Sequence, residues 1–484
     1  MRIALVHYHL RRGGVTSVVH HQAKALLEGG DDVLIITGEG APEDSRIPHA
    51  VVEALGYDAQ DRHNSPPGEP SPTGDVFSQK KKPAQDLADA LCAVMEARWG
   101  QAADILHVHN PMIKKNTLLI PALNILNKRG LRLLLQNHDV AEDFRPDVYE
   151  DQDDYPENCH YAVINTRDYS YLHRAGLKKE GLHLIPNEVI PVPAVSGLPR
   201  TRYLYPVRAI RRKNIGEALF LALFIPPGRT IAVTLPPVSP WDKKIYQHWK
   251  DLAEELKLPV EFEIGAHKPL AEVLGSAFCV ITTSIKEGFG FSYLEPWTAG
   301  RAVIGRRIDY VCRDFEAAGI RFDSFYPSLN IPTAYISSSV FRKKMENALT
   351  TVYRAFGLDI PGYILKQMND EIFSRETLDF GRFDEEFQEY LLRALVSNDT
   401  VRRDVAEVNP FLVNFAEWRP DEELIQENRI KIDQMYGRER ISGLLRAAYQ
   451  GVTDNPVVHK LSKSVLLELY LDPLKFSLVG FGHG

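Results

Sequence analysis

Hydrophobic and polar residues alternate over the first 190 positions in a pattern that predicts buried strands separated by amphipathic helices. The apolar run "IALVHY" leads to a glycine pair, an apolar spacing near 3.6 follows up to Glu28, and a second glycine pair precedes "DVLIIT". This order is typical of a βαβ unit in a buried parallel sheet. Because the runs "ADILHVH", "LRLLLQNH", "YAVIN" and "LHLIPN" continue it, we predict a Rossmann-like domain over residues 1–190.

The same alternation restarts after a proline-rich segment at 191–202, which we interpret as a linker. The runs "YLYPV", "TIAVTLP", "VEFEI", "FCVITTS" and "AVIG" predict a second Rossmann-like domain over 203–375. Residues 376–484 are helical and charged, and we expect this extension to pack back on both domains. Residues 57–83 are rich in Pro, Gly, Ser and charge, which predicts a disordered insertion. The predicted fold class is α/β, with two doubly wound domains facing across a cleft.

Composition narrows the functional classes. With 484 residues, 44% hydrophobic, 25% charged and a net charge of -7, the chain resembles an ordinary soluble globular protein without the basic field of a nucleic-acid binder. Four scattered cysteines match no CxxC motif. The apolar stretches are too short to span a bilayer, and the N-terminus does not resemble a signal peptide. We expect a cytoplasmic protein, with peripheral membrane contact and oligomeric state left open.

Histidines occupy the predicted carboxyl ends of the first-domain strands, where ligands of open α/β sheets bind. His7 with His9, and His107 with His109, have the i, i+2 spacing that places two side chains on one face of a strand. Each pair either provides two metal ligands or has one packed member and one that lines the cleft; no further ligand stands at a suitable spacing. His138, followed by Asp139, ends another strand and is a candidate cleft residue.

Glycines and basic residues mark two more strand ends. Gly13 and Gly14 form either a tight turn or a place where a ligand approaches the backbone, but they lack the full G-x-G-x-x-G pattern. In the second domain, Arg208 and Lys213 precede a predicted helix. They form either a solvated basic turn or a clamp for a diphosphate, to which arginine offers a bidentate fork and lysine a point charge.

The stretch "SIKEGFGFSYLEPWTAGRAVIG" combines a glycine turn with two acids, Glu287 and Glu295. The turn Gly288-Phe289-Gly290 connects a strand to a helix predicted from Ser292, so its free amides can bind an anionic oxygen. Carboxylates accept hydrogen bonds from hydroxyls. A nucleotide sugar carries both groups and fits all of these elements; the alternative is a plain turn between two surface glutamates.

This stretch resembles the signature of the family-4 retaining glycosyltransferases of the GT-B fold. Other parts resemble that family in order: "RRGGVTSVVHHQAKALLEGGDDVLIIT", "DILHVHN", "LLLQNHD", "HLIPNEV" and "VRAIRRKN". The resemblance covers roughly residues 1–310. Val207, Glu188 and the pair Pro296-Trp297 depart from the family pattern, which indicates a divergent branch.

The resemblance implies a role for each matching residue. Arg208 and Lys213 would neutralise the donor diphosphate, Glu295 would hold the ribose, and Glu287 with the amides of 288–291 would hold the donor sugar. From the first domain, His138 would touch the sugar, Gly14 would let the diphosphate approach, and His109 with Asp139 would lie on the acceptor side. No metal or other cofactor is implied, because the cationic pair stabilises the leaving diphosphate.

The resulting hypothesis is a retaining transferase that moves a hexosyl group from a UDP- or GDP-sugar to a hydroxyl of a small soluble acceptor or a glycan. Alternatives within the fold are an epimerase or a phosphorylase. A metal-dependent hydrolase built on the histidine pairs and a non-catalytic nucleotide-sugar sensor are alternatives from other classes. The acidic cluster at 139–157 is either a solvated loop, an acceptor gate or a metal-binding site.

Overall fold

The computed structural model describes residues 1–58, 76–151, 154–266 and 268–480. Residues 59–75, most of the predicted insertion, lie outside this part. Two parallel sheets and a helical C-terminal region make up the fold, as the sequence predicts. Among the helices that the structure describes, none is both long and apolar enough to cross a membrane.

The first sheet has seven parallel strands in the order β3-β2-β1-β4-β5-β6-β7. The order reverses between β1 and β4, which makes this position the topological switch point where open α/β sheets bind ligands. The strands are β1 (Arg2–His7), β2 (Asp32–Thr37), β3 (His49–Val51), β4 (Ile105–His109), β5 (Leu133–Asn137), β6 (His160–Val163) and β7 (Leu182–Leu184).

Four helices accompany this sheet: α1 (Gly14–Glu28), α2 (Val76–Trp99), α3 (Leu119–Lys128) and α4 (Thr166–Arg174). Helix α2 begins inside the stretch predicted as an insertion. The central strands are buried on both faces, and Val19, Ala23 and Leu26 of α1 pack against them.

The second sheet has six parallel strands in the order β10-β9-β8-β11-β12-β13, with its switch point between β8 and β11. Its strands are β8 (Arg202–Arg208), β9 (Thr230–Leu235), β10 (Val260–Glu261), β11 (Ala277–Thr282), β12 (Val303–Arg306) and β13 (Phe325–Tyr326). Its helices are α5 (Ile215–Ala222), α6 (Pro240–Glu255), α7 (Leu270–Gly275), α8 (Phe291–Thr298) and α9 (Asp309–Ala317).

The remaining chain is mostly helical, with one antiparallel strand pair, β14 (Asn330–Pro332) and β15 (Thr377–Asp379). The helices are α10 (Ser338–Ala355), α11 (Gly362–Met368), α12 (Glu385–Ser397), α13 (Asp399–Glu407), α14 (Pro410–Glu417), α15 (Glu422–Tyr436), α16 (Arg438–Asp454) and α17 (Lys463–Tyr470). Two compact units result: unit 1 contains residues 1–188 and 436–471, and unit 2 contains 189–435 and 472–484.

A buried ionic network joins the elements of unit 2. Arg306, at the end of β12, donates to Glu217 of α5 at 2.6 Å and to Asp379 of β15 at 2.8 Å. The hydroxyl of Tyr326 in β13 donates to Glu217 at 2.7 Å. Glu217 has no exposed surface, and charges removed from water are tolerated only when they are paired. The network therefore ties α5, β12, β13 and β15 together.

We predict that Glu217→Ala lowers the free energy of unfolding by about 3–5 kcal/mol, because it leaves the buried guanidinium of Arg306 without one of its partners. The matched control is Glu316→Ala, which removes one of the two acidic partners of Arg307 at a more exposed position and should cost less than about 1 kcal/mol. Urea unfolding followed by tryptophan fluorescence measures both losses, since four of the five tryptophans lie in unit 2. Equal losses in the two variants would contradict the role of the network.

Candidate active site

Buried side-chain amides hold the basic turn that follows β8. Residues 211–213 form one turn of 3-10 helix, and Asn214 follows with a φ of 53°, a left-handed conformation that asparagine adopts more readily than most residues. The side-chain amide of Asn214 donates to Glu217 at 2.7 Å and accepts from Gln388 at 2.9 Å. The network around Arg306 therefore fixes the position of this turn.

Each basic residue of the turn has an acidic partner. Arg211 donates to both carboxylate oxygens of Glu385, at 2.6 and 2.8 Å. Arg212 donates to Glu287 at 3.0 Å, and the ammonium of Lys213 also donates to Glu287. The turn is therefore not a solvated basic run: it is attached to the first acid of the signature stretch.

The two cations predicted for the diphosphate differ in their surroundings. Lys213 is largely buried against Glu287. Arg208 is exposed at the end of β8, and its guanidinium donates to the carbonyl of Pro236 at a long 3.5 Å. Lys213 is thus held in place, whereas the Arg208 side chain faces solvent.

Glu287 is a buried carboxylate held in its ionised form. Burial alone would raise its pKa, but the nearby charges of Lys213 and Arg212 lower the pKa to about 2. Its backbone is fixed by Tyr310, whose hydroxyl accepts from the Glu287 N–H at 3.1 Å and donates to the Glu287 carbonyl. Glu287 is therefore an anion held in a fixed position beside the glycine turn.

The glycine turn leads directly into α8. Gly290 is the N-cap with a φ of 95°, and an added Cβ would lie 2.9 Å from Val311, so both conformation and space require glycine there. The ring of Phe289 is buried and packs at 5.1 Å from Phe291 and 5.5 Å from Phe315. Phe289 therefore offers a ligand its backbone rather than its side chain.

Glu295 lies one turn inside α8 and differs from Glu287 in having no counter-charge. Its carboxylate is partly buried and makes no hydrogen bond or ion pair with the described residues, and burial raises its pKa to about 7. A carboxylate in this state gains the most from a ligand that donates hydrogen bonds, such as a pair of hydroxyls.

The histidines of unit 1 form a stack along the edge of the first sheet. The rings of His107 and His109 are 4.4 Å apart, and His109 Nδ1 lies 3.2 Å from His138 Nε2. Burial lowers the pKa of His138 to about 4 and that of His107 and His7 to about 3, so these imidazoles are neutral. Within the described ranges, no three His, Cys, Asp or Glu side chains are grouped as metal ligands.

Asn110, which the sequence analysis did not single out, positions the end of β5. It follows β4 with a φ of 59°, and its side-chain oxygen accepts from the backbone N–H of His138 at 3.1 Å and of Asp139 at 3.0 Å. The Asp139 carboxylate lies 3.4 Å from Arg145. In the sequence, Asn110 could have been identified as a polar residue directly after "HVH", at a predicted strand end.

Gly14 begins α1, and a Cβ added to it would have no atom within 4 Å. Packing within the described chain therefore does not require glycine here, which leaves the approach to the helix N-terminus open for a ligand.

Glu188, one of the departures from the family pattern, accepts a hydrogen bond from Arg438 of α16 at 3.0 Å. This residue serves to attach a C-terminal helix to unit 1.

Comparison with known proteins gives no match to a protein-family model. The chain is 24% identical over 439 residues to the mannosylglucosyl-3-phosphoglycerate synthase of Petrotoga mobilis. The matched region covers 84% of this chain and 83% of that protein. Among solved structures, it resembles sucrose-phosphate synthase from Thermosynechococcus elongatus, with a TM-score of 0.54, 16% identity and coverage of 93% and 98%. The chain is a glycosyltransferase of the GT-B fold.

In sequence and fold the chain is similar to retaining, family-4-like glycosyltransferases, which use nucleotide sugars. A second structural relative is Anabaena HepE in complex with UDP and glucose, with a TM-score of 0.54, 12% identity and coverage of 93% and 99%. The family resemblance and fold class predicted from the sequence are thereby confirmed. The roles of individual residues stay predictions.

We predict that the stability advantage of the unaltered glycosyltransferase over Glu287→Gln shrinks on acidification. The folded-state pKa of about 2 lies below the ordinary 4.5, so the ionised group contributes stability that is present above pH 4.5 and is lost as the pH falls toward 2. Between pH 6 and pH 3.5 the difference should fall by about 1.4 kcal/mol. Urea unfolding of both proteins at the two pH values measures it; a constant difference would contradict the assignment.

Proposed function

We propose that this glycosyltransferase moves a hexosyl group from a UDP- or GDP-sugar to a hydroxyl of a small soluble acceptor, with retention of the anomeric configuration. The observation that carries the proposal is the arrangement of Lys213, Glu287 and Glu295 around the N-terminus of α8. It offers a cation, the backbone amides of a helix N-terminus and a carboxylate without a partner in the described chain, as an anionic ligand with hydroxyl groups requires. The HepE complex supports UDP-glucose as the first donor to test.

The donor is held by unit 2 in this proposal. Lys213 and Arg208 neutralise the diphosphate, and the cations stabilise the charge that develops on it as the glycosidic bond breaks. Glu295 accepts hydrogen bonds from the ribose, while Glu287 and the amides of 288–291 hold the sugar. Because Glu287 is ionised and engaged with Lys213 and Arg212, we favour front-face attack assisted by a donor phosphate oxygen over a covalent Glu287 intermediate.

Unit 1 contributes two neutral histidines, Gly14 and Asp139. The imidazole of His138 contacts the donor sugar, and Gly14 lets the diphosphate approach α1. His109 has no exposed surface, so we assign it to orienting the His138 ring on the acceptor side rather than to direct contact. Asp139 lies beside the acceptor. We propose no metal, since Lys213 and Arg208 supply the positive charge that a cation would bring.

The test is a screen of UDP-, GDP- and ADP-sugars by thermal shift and by hydrolysis of the donor. We expect one nucleotide series to raise the melting temperature and to be hydrolysed slowly without acceptor. The anomer formed with the eventual acceptor, read by nuclear magnetic resonance, checks retention. A chain that binds and hydrolyses no nucleotide sugar would refute the proposal.

We predict that Glu295→Ala and Lys213→Ala each weaken the affinity for the donor by roughly 10- to 150-fold, the effect of losing a charge-assisted contact worth about 1.5 to 3 kcal/mol. Glu287→Ala should mainly lower turnover, because this residue faces the reacting sugar. Calorimetric titration with the donor and initial rates separate the two effects. Glu254→Ala, an exposed carboxylate on α6, is the matched control; equal donor affinity in all variants would contradict these roles.

We also predict that donor affinity rises with pH. The ionised Glu295 accepts stronger hydrogen bonds from ribose hydroxyls than its protonated form does, and its pKa of about 7 means that it is mostly protonated at pH 6. Affinity for UDP-glucose, whose diphosphate diester does not titrate in this range, should increase roughly tenfold between pH 6 and pH 8. In Glu295→Gln the increase should disappear. A rise of the same size in this variant would assign the titration to another group.

A further inference from the structure

Lys115, in the loop between β4 and α3, carries a charge that no acid in the described chain pairs with. Its ammonium makes no hydrogen bond or ion pair there, and it lies 5.7 Å from the centre of the Tyr57 ring. The side chain is partly buried, and burial lowers the pKa of Lys115. The neighbouring Lys114, by contrast, lies 3.2 Å from Glu150. An unpaired, partly desolvated cation is costly and is a recurrent mark of a ligand site.

The surroundings of Lys115 place it beside the residues assigned to the acceptor side. The Tyr57 hydroxyl lies 3.1 Å from His9 Nε2, and the Tyr57 ring packs 5.4 Å from that of Tyr8 in the segment after β1. The pKa of Lys115 is affected by the charges of Asp147, Arg145 and Asp139. Lys115 therefore lies at the same edge of the sheet as the residues that follow β1 and β5.

The backbone around Lys115 is firmly held. Its carbonyl accepts from the N–H of Asp58 at 2.9 Å, and the Asp58 carboxylate accepts from the N–H of Thr117 at 2.9 Å. The buried amide of Asn116 donates to the carbonyls of Ala54 and Gly56 at 2.8 and 2.7 Å. The ammonium thus projects from an ordered segment, as a binding residue should.

A second cation of this region is only loosely engaged. The guanidinium of Arg145 lies 3.4 Å from Asp139, beyond the 2.7–2.9 Å typical of a charge-assisted hydrogen bond. Arg11, another cation near Tyr57, is already paired in bidentate fashion with Glu39. The exposed Asp147 is another acid near Lys115. Lys115 and Arg145 therefore both have capacity for a further anion.

We propose that Lys115 and Arg145, with Tyr57 between Lys115 and His9, form the subsite that takes the anionic group of the acceptor, a phosphate or a carboxylate. This rests on the proposed function, since it concerns the acceptor of the same reaction. The anion would pair with Lys115 and draw Arg145 away from Asp139. It would stand near His138, so that a hydroxyl of the same small molecule is presented to the donor.

The test is calorimetric titration of the full chain, with and without saturating UDP. The probes are 3-phosphoglycerate, glycerol 3-phosphate, D-glycerate and neutral glycerol, so that phosphate and carboxylate are distinguished. We expect at least one anionic probe to bind and glycerol not to bind. Lys115→Met should weaken anion binding by at least about tenfold, as expected for a lost charge-assisted contact. Lys115→Arg should retain most of it.

Lys114→Met is the matched control, because it removes an adjacent, ion-paired lysine and should change anion affinity by less than about twofold. Thermal melting shows whether each variant is folded, and Arg145→Gln provides an independent variant with the same expected loss. Equal anion affinity in Lys115→Met and the unaltered chain, or no binding of any anionic probe, would overturn the proposal. Failure of the proposed function would differ: no nucleotide sugar would bind, whatever the result of the titrations without UDP.

Discussion

The pairing of Arg306 with Glu217 is the constraint on which the donor side of the structure depends. A guanidinium and a carboxylate this deeply buried persist only when all of their hydrogen-bonding groups are used. Glu217 uses its oxygens on Arg306, Tyr326 and Asn214, and Asn214 in turn fixes the turn that carries Lys213. The position of Lys213 is thus set by an ion pair in the interior of unit 2.

Lys213 and Glu287 transmit this constraint to the glycine turn. Each is costly to bury alone, and together they hold one charge of each sign beside the N-terminus of α8. Such a site is organised before a ligand arrives, so little reorganisation is needed during the reaction. In unit 1, by contrast, the histidine stack is buried without counter-charges. The imidazoles are therefore neutral and serve hydrogen bonding rather than charge stabilisation.

The alternation of apolar runs and helical spacing predicts the two sheets well, because central parallel strands are buried on both faces. It misses β3 and β13, which have only three and two residues and too little periodicity to detect. The signature stretch places Glu287 and Glu295 at a strand end, but it gives no sign that Glu287 is bonded to Lys213, 74 positions away. The inward packing of Phe289 and the unpaired state of Lys115 likewise depend on distant neighbours, which local patterns do not encode.

The return of residues 436–471 to unit 1 has a consequence for biosynthesis. Tyr449, Leu445 and Ile441 of α16 belong to the same hydrophobic core as Ile3 and Leu134, although more than 300 positions separate them. A nascent chain that has emerged only as far as the end of β7 has therefore made every strand of the first sheet but lacks part of its core. Unit 1 begins at the first residue, yet its core can close only after unit 2 has been almost entirely translated.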